Sequence, residues 1–171
     1  AAARCAFPEI PDTVIYESVG AFQGTWRRFE YKGKSKNGAE VYDDYAHHPT
    51  AVRKTLEALR AKTSGKIVVA FHPHLYSRTR DLLDEFAIAF SNADRVVIAP
   101  IYAARETDDG SISSEILAER IRATGTDAVA LDTFGAIENA LNEAKQGDTI
   151  MTMGAGDIYK IADKLVSHIE K

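Results

Sequence analysis

Cysteine is almost absent from this chain. Cys5 stands alone, so no disulfide can form within it, and a reducing compartment fits that usage. No apolar run approaches the roughly 18–20 residues of a membrane-spanning helix. The opening Ala1-Ala2-Ala3-Arg4-Cys5 lacks the apolar segment of a signal peptide. Positive charge is not in excess either. Twenty-one basic residues against 25 acidic ones give a net charge of −4, which argues against the basic stripe of a nucleic-acid surface. No repeat and no low-complexity stretch is present. What remains is an ordinary globular composition, 45% hydrophobic over 171 residues, enough for one domain or one domain plus a remnant of another. The chain starts without an initiator Met, which reads as a trimmed fragment.

Residues 1–24 differ from the rest. They hold Pro8 and Pro11, a helical phrase from Thr13 to Phe22, and a stop at Gly24. They read as the tail of a preceding domain or a linker, with residues 25–171 as the domain proper. There, strand and helix patterns alternate. Phe29–Ser35 and Ala39–Asp44 read as strands joined by an Asn-Gly turn at Lys36-Asn37-Gly38. Pro49–Lys62 predicts a helix with Val52, Leu56 and Leu59 on one face. Further strands fall at Lys66–Phe71, Arg95–Ala99, Ala128–Leu131 and Thr149–Met153. Further helices fall at Thr79–Phe90, Ser113–Ala123, Phe134–Lys145 and Asp157–Glu170, and Ser113 is a cap for its helix. Pro100–Ser111 reads as a long loop. Continuous apolar strands between helices predict an α/β, Rossmann-like three-layer sandwich, a mostly parallel sheet with an antiparallel N-terminal hairpin strand. Ligands in such sheets bind at the carboxyl ends of the strands.

Four loops fall at those ends and read as one site: the loop after Asp43, the loop after Phe71, Ile101–Gly110 and Gly154-Ala155-Gly156-Asp157. Val41-Tyr42-Asp43-Asp44-Tyr45-Ala46-His47-His48-Pro49-Thr50 puts two carboxylates, two tyrosines and two imidazoles between a strand and a helix. A turn that only reversed direction could use Gly, Asn or Ser. A carboxylate at a strand end suits ribose hydroxyls, and imidazoles titrate near neutrality. Helix capping by His48 ahead of Pro49 accounts for one of these residues, not for the cluster. Phe71-His72-Pro73-His74-Leu75-Tyr76-Ser77-Arg78-Thr79-Arg80 follows the next strand. Cations near a helix start oppose its dipole, so an anion is implied there. Arg78 is the ligand candidate, while Arg80 is expected to pair with Asp84 at i,i+4.

Gly24-Thr25-Trp26-Arg27-Arg28-Phe29-Glu30 carries two arginines. They either meet phosphate or form a solvated pair beside a packed Trp26, and chemistry alone leaves both open. Met153-Gly154-Ala155-Gly156-Asp157 lacks the third glycine of a dinucleotide fingerprint and the Gly-Lys-Ser/Thr of a P-loop. Asp157 would repel phosphate, so tight-turn packing is the reading. His47, His48, His72 and His74 raise a zinc site, but no acidic or Cys ligand completes a recognisable spacing. No metal ligand is assigned. Cys5 is expected to be inert or partly buried.

Taken in order, these four motifs resemble the Mur ligases, over nearly the whole chain. The resemblance implies a three-domain, ATP-dependent acid–amino-acid ligase of peptidoglycan synthesis. This chain would be its C-terminal Rossmann-like domain, with residues 1–24 ending the central ATPase domain. The P-loop and most Mg2+ ligands would then lie upstream. The spelling is most similar to the member that joins L-alanine to UDP-N-acetylmuramate through an acyl phosphate. A sister that attaches a recycled tripeptide shares the first loop. The implied partners are ATP, L-alanine, UDP-N-acetylmuramate and the enzyme's own N-terminal and central domains, in the cytoplasm. Arg28, Asp44 and His47 would face ATP. Tyr45, His74 and Arg78 would line the amino-acid pocket, and no nucleophile or other catalytic residue is required. Leu75 stands where many members have Arg. Two other readings are a stand-alone nucleotide-binding regulatory module and a metal-dependent hydrolase built on the histidines.

Overall fold

The computed structural model describes residues 5–22 and 24–167. In chain order the elements are α1 (Asp12–Gly20), β1 (Glu30–Lys34), β2 (Glu40–Asp44), α2 (Pro49–Arg60), β3 (Ile67–His72), α3 (Tyr76–Asp81), α4 (Leu83–Ala89), β4 (Arg95–Ile98), α5 (Ser114–Arg122), β5 (Asp127–Ala130), α6 (Phe134–Leu141), β6 (Thr149–Gly154) and α7 (Tyr159–Ser167). The six strands form one sheet in the order β1-β2-β6-β3-β4-β5. β1 is antiparallel to β2, and every other pairing is parallel. The three-layer α/β expectation holds.

The parallel strands are apolar on both faces because helices cover both. In β3, Ile67, Val69 and Phe71 join Val52, Leu56 and Leu59 of α2, Phe86 of α4, and Leu117 and Ile121 of α5. Val68 and Ala70 turn the other way, onto Ile137 and Leu141 of α6 and Ile161 and Leu165 of α7. After β5 the chain returns across this second face and inserts β6 between β2 and β3. The strand order reverses there, which opens a crevice above the carboxyl ends of β2, β6 and β3.

Local chemistry sets the boundaries. Pro49 opens α2, and the side chain of His48 accepts from Thr50 N, so His48 does cap this helix. Ser113 Oγ accepts from Ile116 N at 3.2 Å and caps α5 as expected. In the hairpin, Gly38 N donates to Ser35 O at 2.9 Å and Ser35 N to Ala39 O at 2.8 Å. Gly38 takes φ +84°, so Asn37-Gly38 sits in a three-residue loop rather than a two-residue one.

Some expectations change. The helix predicted over Thr79–Phe90 is two helices, broken at Leu82 with φ −113° and ψ 23°. α6 stops at Leu141, short of Lys145. The predicted end of the last helix at Glu170 lies outside the described residues. β1 carries a bulge between Tyr31 and Gly33, where Gly33 has φ +133°. α1 buries none of its residues, and Cys5 is exposed rather than partly buried. Among the described residues no helix is long and apolar enough to cross a membrane.

Candidate functional site

The rim is built around Arg27. Its side chain is only 3% exposed, and its Nε donates to Asp43 Oδ2 at 2.7 Å. Its terminal nitrogens donate to Gly154 O at 2.6 Å and Gly156 O at 3.1 Å. The aromatic rings of Tyr159, Tyr45 and Trp26 lie 4.8, 5.2 and 5.8 Å from the guanidinium carbon. Arg27 is therefore neither of the two things its sequence allowed. It is not solvated, and its donors are spent on this chain rather than on a phosphate. Arg28 next to it is exposed. Trp26 is 64% exposed and touches Tyr159 edge-on, so it is not a packed anchor.

The paired acids hold the turn that precedes β1. Asp43 is fully buried and also accepts from Thr152 Oγ1. Burial pushes its carboxyl above the ordinary range, against the pull of the Arg27 guanidinium and the Thr152 hydroxyl. Asp44 Oδ2 accepts from Phe29 N at 2.8 Å, and Oδ1 from Ala46 N at 2.7 Å. Arg27 N donates to Glu30 Oε2, and Tyr45 N to Arg27 O. These bonds hold Arg27 and Phe29 at φ +54° and +48°, conformations costing on the order of 1–3 kcal/mol each for residues with a Cβ.

The glycine loop after β6 is a packing device, as its sequence implied. A Cβ on Gly154 would lie 2.5 Å from His72 O, and one on Gly156 would lie 2.5 Å from His72 Nδ1. His72 is 6% exposed, and burial lowers its pKa to about 4. It stays neutral, and its buried Nδ1 has no hydrogen-bond partner among the described residues.

Beyond His72 the rim opens. His74 stacks on Tyr102 at 5.6 Å, and His47 meets His74 edge-on at 5.8 Å. Tyr45 meets His47 at 5.1 Å. Arg78 NH1 donates to His74 Nδ1 at 3.2 Å, and because a guanidinium only donates, the His74 proton sits on Nε2. Burial lowers the His74 pKa, with the charges of Arg78, His47 and Arg105 acting the same way. His47 Nδ1 lies 2.9 Å from Tyr45 O, which can only accept, so that nitrogen carries a proton. The structure thus brings Tyr45, His47, His74 and Arg78 onto one wall across two strands. Leu75, between His74 and the start of α3, is held at φ +73°. Sequence reasoning put the Ile101–Gly110 loop on the rim but missed Tyr102 within it, because nothing there announced that Leu75 N would donate to Tyr102 O, and Tyr102 N to Pro73 O.

Arg80 does not pair with Asp84. The break at Leu82 removes the i,i+4 geometry, so Arg80 reaches Asp81 and Asp109 while Asp84 pairs with Arg120. Among the described residues no group of three or more His, Cys, Asp or Glu side chains is placed to hold a metal ion.

Residues 27–156 match the family model described as Mur ligase, glutamate ligase domain. The chain belongs to the Mur ligase family. It is 47% identical over 157 residues to the UDP-N-acetylmuramate–L-alanine ligase of Clostridium botulinum (strain Langeland), covering 91% of this chain and 34% of that protein. It is 51% identical over 153 residues to the ligase of the same name from Lachnospira eligens, covering 89% and 33%. The chain thus spans about a third of the length of these curated relatives. The crystal structure of the Thermotoga maritima UDP-N-acetylmuramate–alanine ligase shares its fold, with a TM-score of 0.67, 24% identity, and coverage of 90% of this chain and 35% of that one.

Two outcomes test this geometry in the Mur ligase domain. Arg27→Met strands the buried Asp43 carboxylate and should lower the unfolding free energy by roughly 3–5 kcal/mol in urea titrations. Adding Asp43→Leu should recover part of that loss; a fully additive loss would mean that the pair is not coupled. His72 sets a pH dependence. Its folded pKa of about 4 lies below the unfolded 6.5, so its contribution is complete above 6.5 and is lost as pH falls toward 4. Stability should drop by up to about 3 kcal/mol across that window from this group. His72→Gln should flatten the pH 7 to 4.5 slope, and an unchanged slope would refute the assignment.

Proposed function

We propose that this chain is the C-terminal domain of an ATP-dependent ligase that joins L-alanine to UDP-N-acetylmuramate in peptidoglycan precursor synthesis. Residues 1–24 would belong to the preceding central domain or linker and residues 25–171 to the domain itself. The observation that carries the reading is the wall of Tyr45, His47, His74 and Arg78 at the carboxyl ends of β2 and β3. It is the kind of surface a small zwitterionic amino acid needs, with a fixed cation, a neutral donor and an aromatic side. The names of the relatives support the same substrate class.

In this reading the γ-phosphoryl of ATP moves to the muramyl carboxylate, leaving ADP and an acyl phosphate. The alanine amine attacks the acyl carbon, and the tetrahedral intermediate expels phosphate. Arg78 holds the alanine carboxylate, with His74 offering its Nε2 proton and Tyr45 bounding the pocket. Arg28, exposed on the turn before β1, faces the ATP phosphates. His47 offers Nε2 to the nucleotide side. Asp44 Oδ2 accepts from Phe29 N and Thr55 Oγ1, whereas Oδ1 accepts from Ala46 N alone and keeps one acceptor site for a ribose hydroxyl. None of these residues breaks a bond itself. The domain positions its substrates and excludes water when it closes on the rest of the enzyme. Among the described residues no side chains are grouped to hold a magnesium ion, so no step through a metal is assigned to them. The ligase would work in the cytoplasm, where its nucleotide substrates are made.

In the complete ligase, Arg78→Ala should raise the KM for L-alanine about tenfold or more while leaving the KM for ATP within about twofold. A change confined to ATP would sink the pocket assignment. Asp44→Asn should raise the KM for ATP and also weaken the turn before β1 by about 1–2 kcal/mol. If urea titration registers the loss of stability but the ATP constant does not move, Asp44 serves the fold alone.

A further inference from the structure

Arg105 is an uncommitted cation beside the amino-acid wall. It is exposed, and it makes no hydrogen bond or ion pair with another described residue. The acids around it are otherwise engaged. Glu106 accepts from both the backbone nitrogen and the hydroxyl of Ser77. Asp108 accepts from Gly110 N, and Asp109 from Ser111 and Arg80. None of these carboxylates neutralises Arg105.

The loop that carries it is fixed against the pocket. Leu75 N donates to Tyr102 O at 2.9 Å and Tyr102 N to Pro73 O at 2.8 Å, so the loop is zipped to the segment that bears His74. Tyr102 stacks on the His74 ring, and the Ser77–Glu106 bonds clamp the other end of the loop to α3. Between these clamps, Glu106 N donates to Ala103 O at 2.9 Å and closes a turn in which Ala104 takes φ +53°. Arg105 sits on that turn, and its charge is felt at His74, as that of Arg78 is. The His74 ring is therefore within electrostatic reach of two guanidinium groups from different loops, Arg78 by direct contact and Arg105 from the loop whose Tyr102 stacks on it. The residue beside it, Leu75, is aliphatic and contributes no charge.

We infer that Arg105 is a second carboxylate-binding cation of the amino-acid site, carried beside His74 by the loop of Tyr102 and acting with Arg78 on the acceptor's carboxylate. This rests on the amino-acid reading of the wall given above. A carboxylate has two oxygens and four lone pairs, so it can satisfy two guanidiniums at once. The loop Ile101–Ser111 then becomes part of the substrate site rather than a connector.

The test is steady-state kinetics of the complete ligase with L-alanine and with ATP varied separately, for Arg105→Ala, Arg105→Lys and Arg78→Ala. Arg105→Ala should raise the KM for L-alanine about tenfold with the ATP constant nearly unchanged, as expected for loss of one charge-assisted hydrogen bond. Arg105→Lys should recover most of that loss, since charge without the planar fork is retained. Adding amino acids without a carboxylate, such as alaninamide, separates the roles further: the wild type should discriminate strongly against the amide, and Arg105→Ala less so. If Arg78→Ala raises the alanine constant but Arg105→Ala does not, this inference fails and the pocket stands. If neither variant moves it, the reading of the wall itself fails. A loss in Arg105→Ala that Lys does not repair and that shifts both substrates equally would mark a disturbed loop, and would also overturn the assignment.

Discussion

Arg27 is buried at the carboxyl end of β2, where an unpaired guanidinium would be strongly disfavoured. Three of its side-chain donors are met, from two distant parts of the chain. Asp43 belongs to β2, while Gly154 and Gly156 belong to the loop after β6. The same arginine sits on the turn before β1, and its own carbonyl receives Tyr45 N. One side chain therefore fixes the relative positions of three segments that form the rim. A buried pair of this kind is weak as a source of net stability, because desolvation takes back much of the attraction. The raised pKa of Asp43 says as much. Its value lies in geometry: these bonds form in one arrangement, in which the Tyr45 ring lies against the guanidiniums of both Arg27 and Arg28.

The next constraint is the close approach of β6 and β3. Gly154 and Gly156 leave room for nothing beyond hydrogen, because His72 fills the space above them. His72 is kept neutral by burial, so no second cation competes with Arg27 beneath the rim. The charged groups are displaced outward along the same loop, to Arg78 and beyond. The loop after β3 thus has a buried neutral half and an exposed charged half, divided at Pro73. Leu75 at φ +73° makes the bend between His74 and α3. An unfavourable conformation at such a bend is a common property of ligand sites, where surrounding bonds force it; here they come from Tyr102 and Thr79.

Much of this was legible in the residues. The apolar runs of β3 and β6, the Pro49 and Ser113 helix starts and the Asn-Gly turn are local signals, and local physics decides them. So was the placing of the polar loops at strand ends, which follows from the alternation of strand and helix. The roles of Arg27 and Arg80 were not legible. Arg27 and Arg28 are adjacent and chemically the same, and which one is buried depends on Gly154 and Gly156, more than 120 residues away. Arg80 lost its expected partner to a helix break at Leu82 that no Gly or Pro announces. Tyr102 joined the wall through backbone bonds, which leave no trace in side-chain pattern.

The open wall also has an electrostatic logic. Arg78 and Arg105 both bear on His74, and like charges around one ring repel. The loop clamps keep them there even so, because Ser77, Glu106 and Tyr102 fix the backbone on either side. In the inferred site, the repulsion between the two guanidiniums would be met in folding and relieved by an incoming carboxylate. The neutral state of His74 is part of the same arrangement. A charged imidazolium would add a third cation, whereas the neutral ring accepts from Arg78 at Nδ1 and keeps a proton on Nε2.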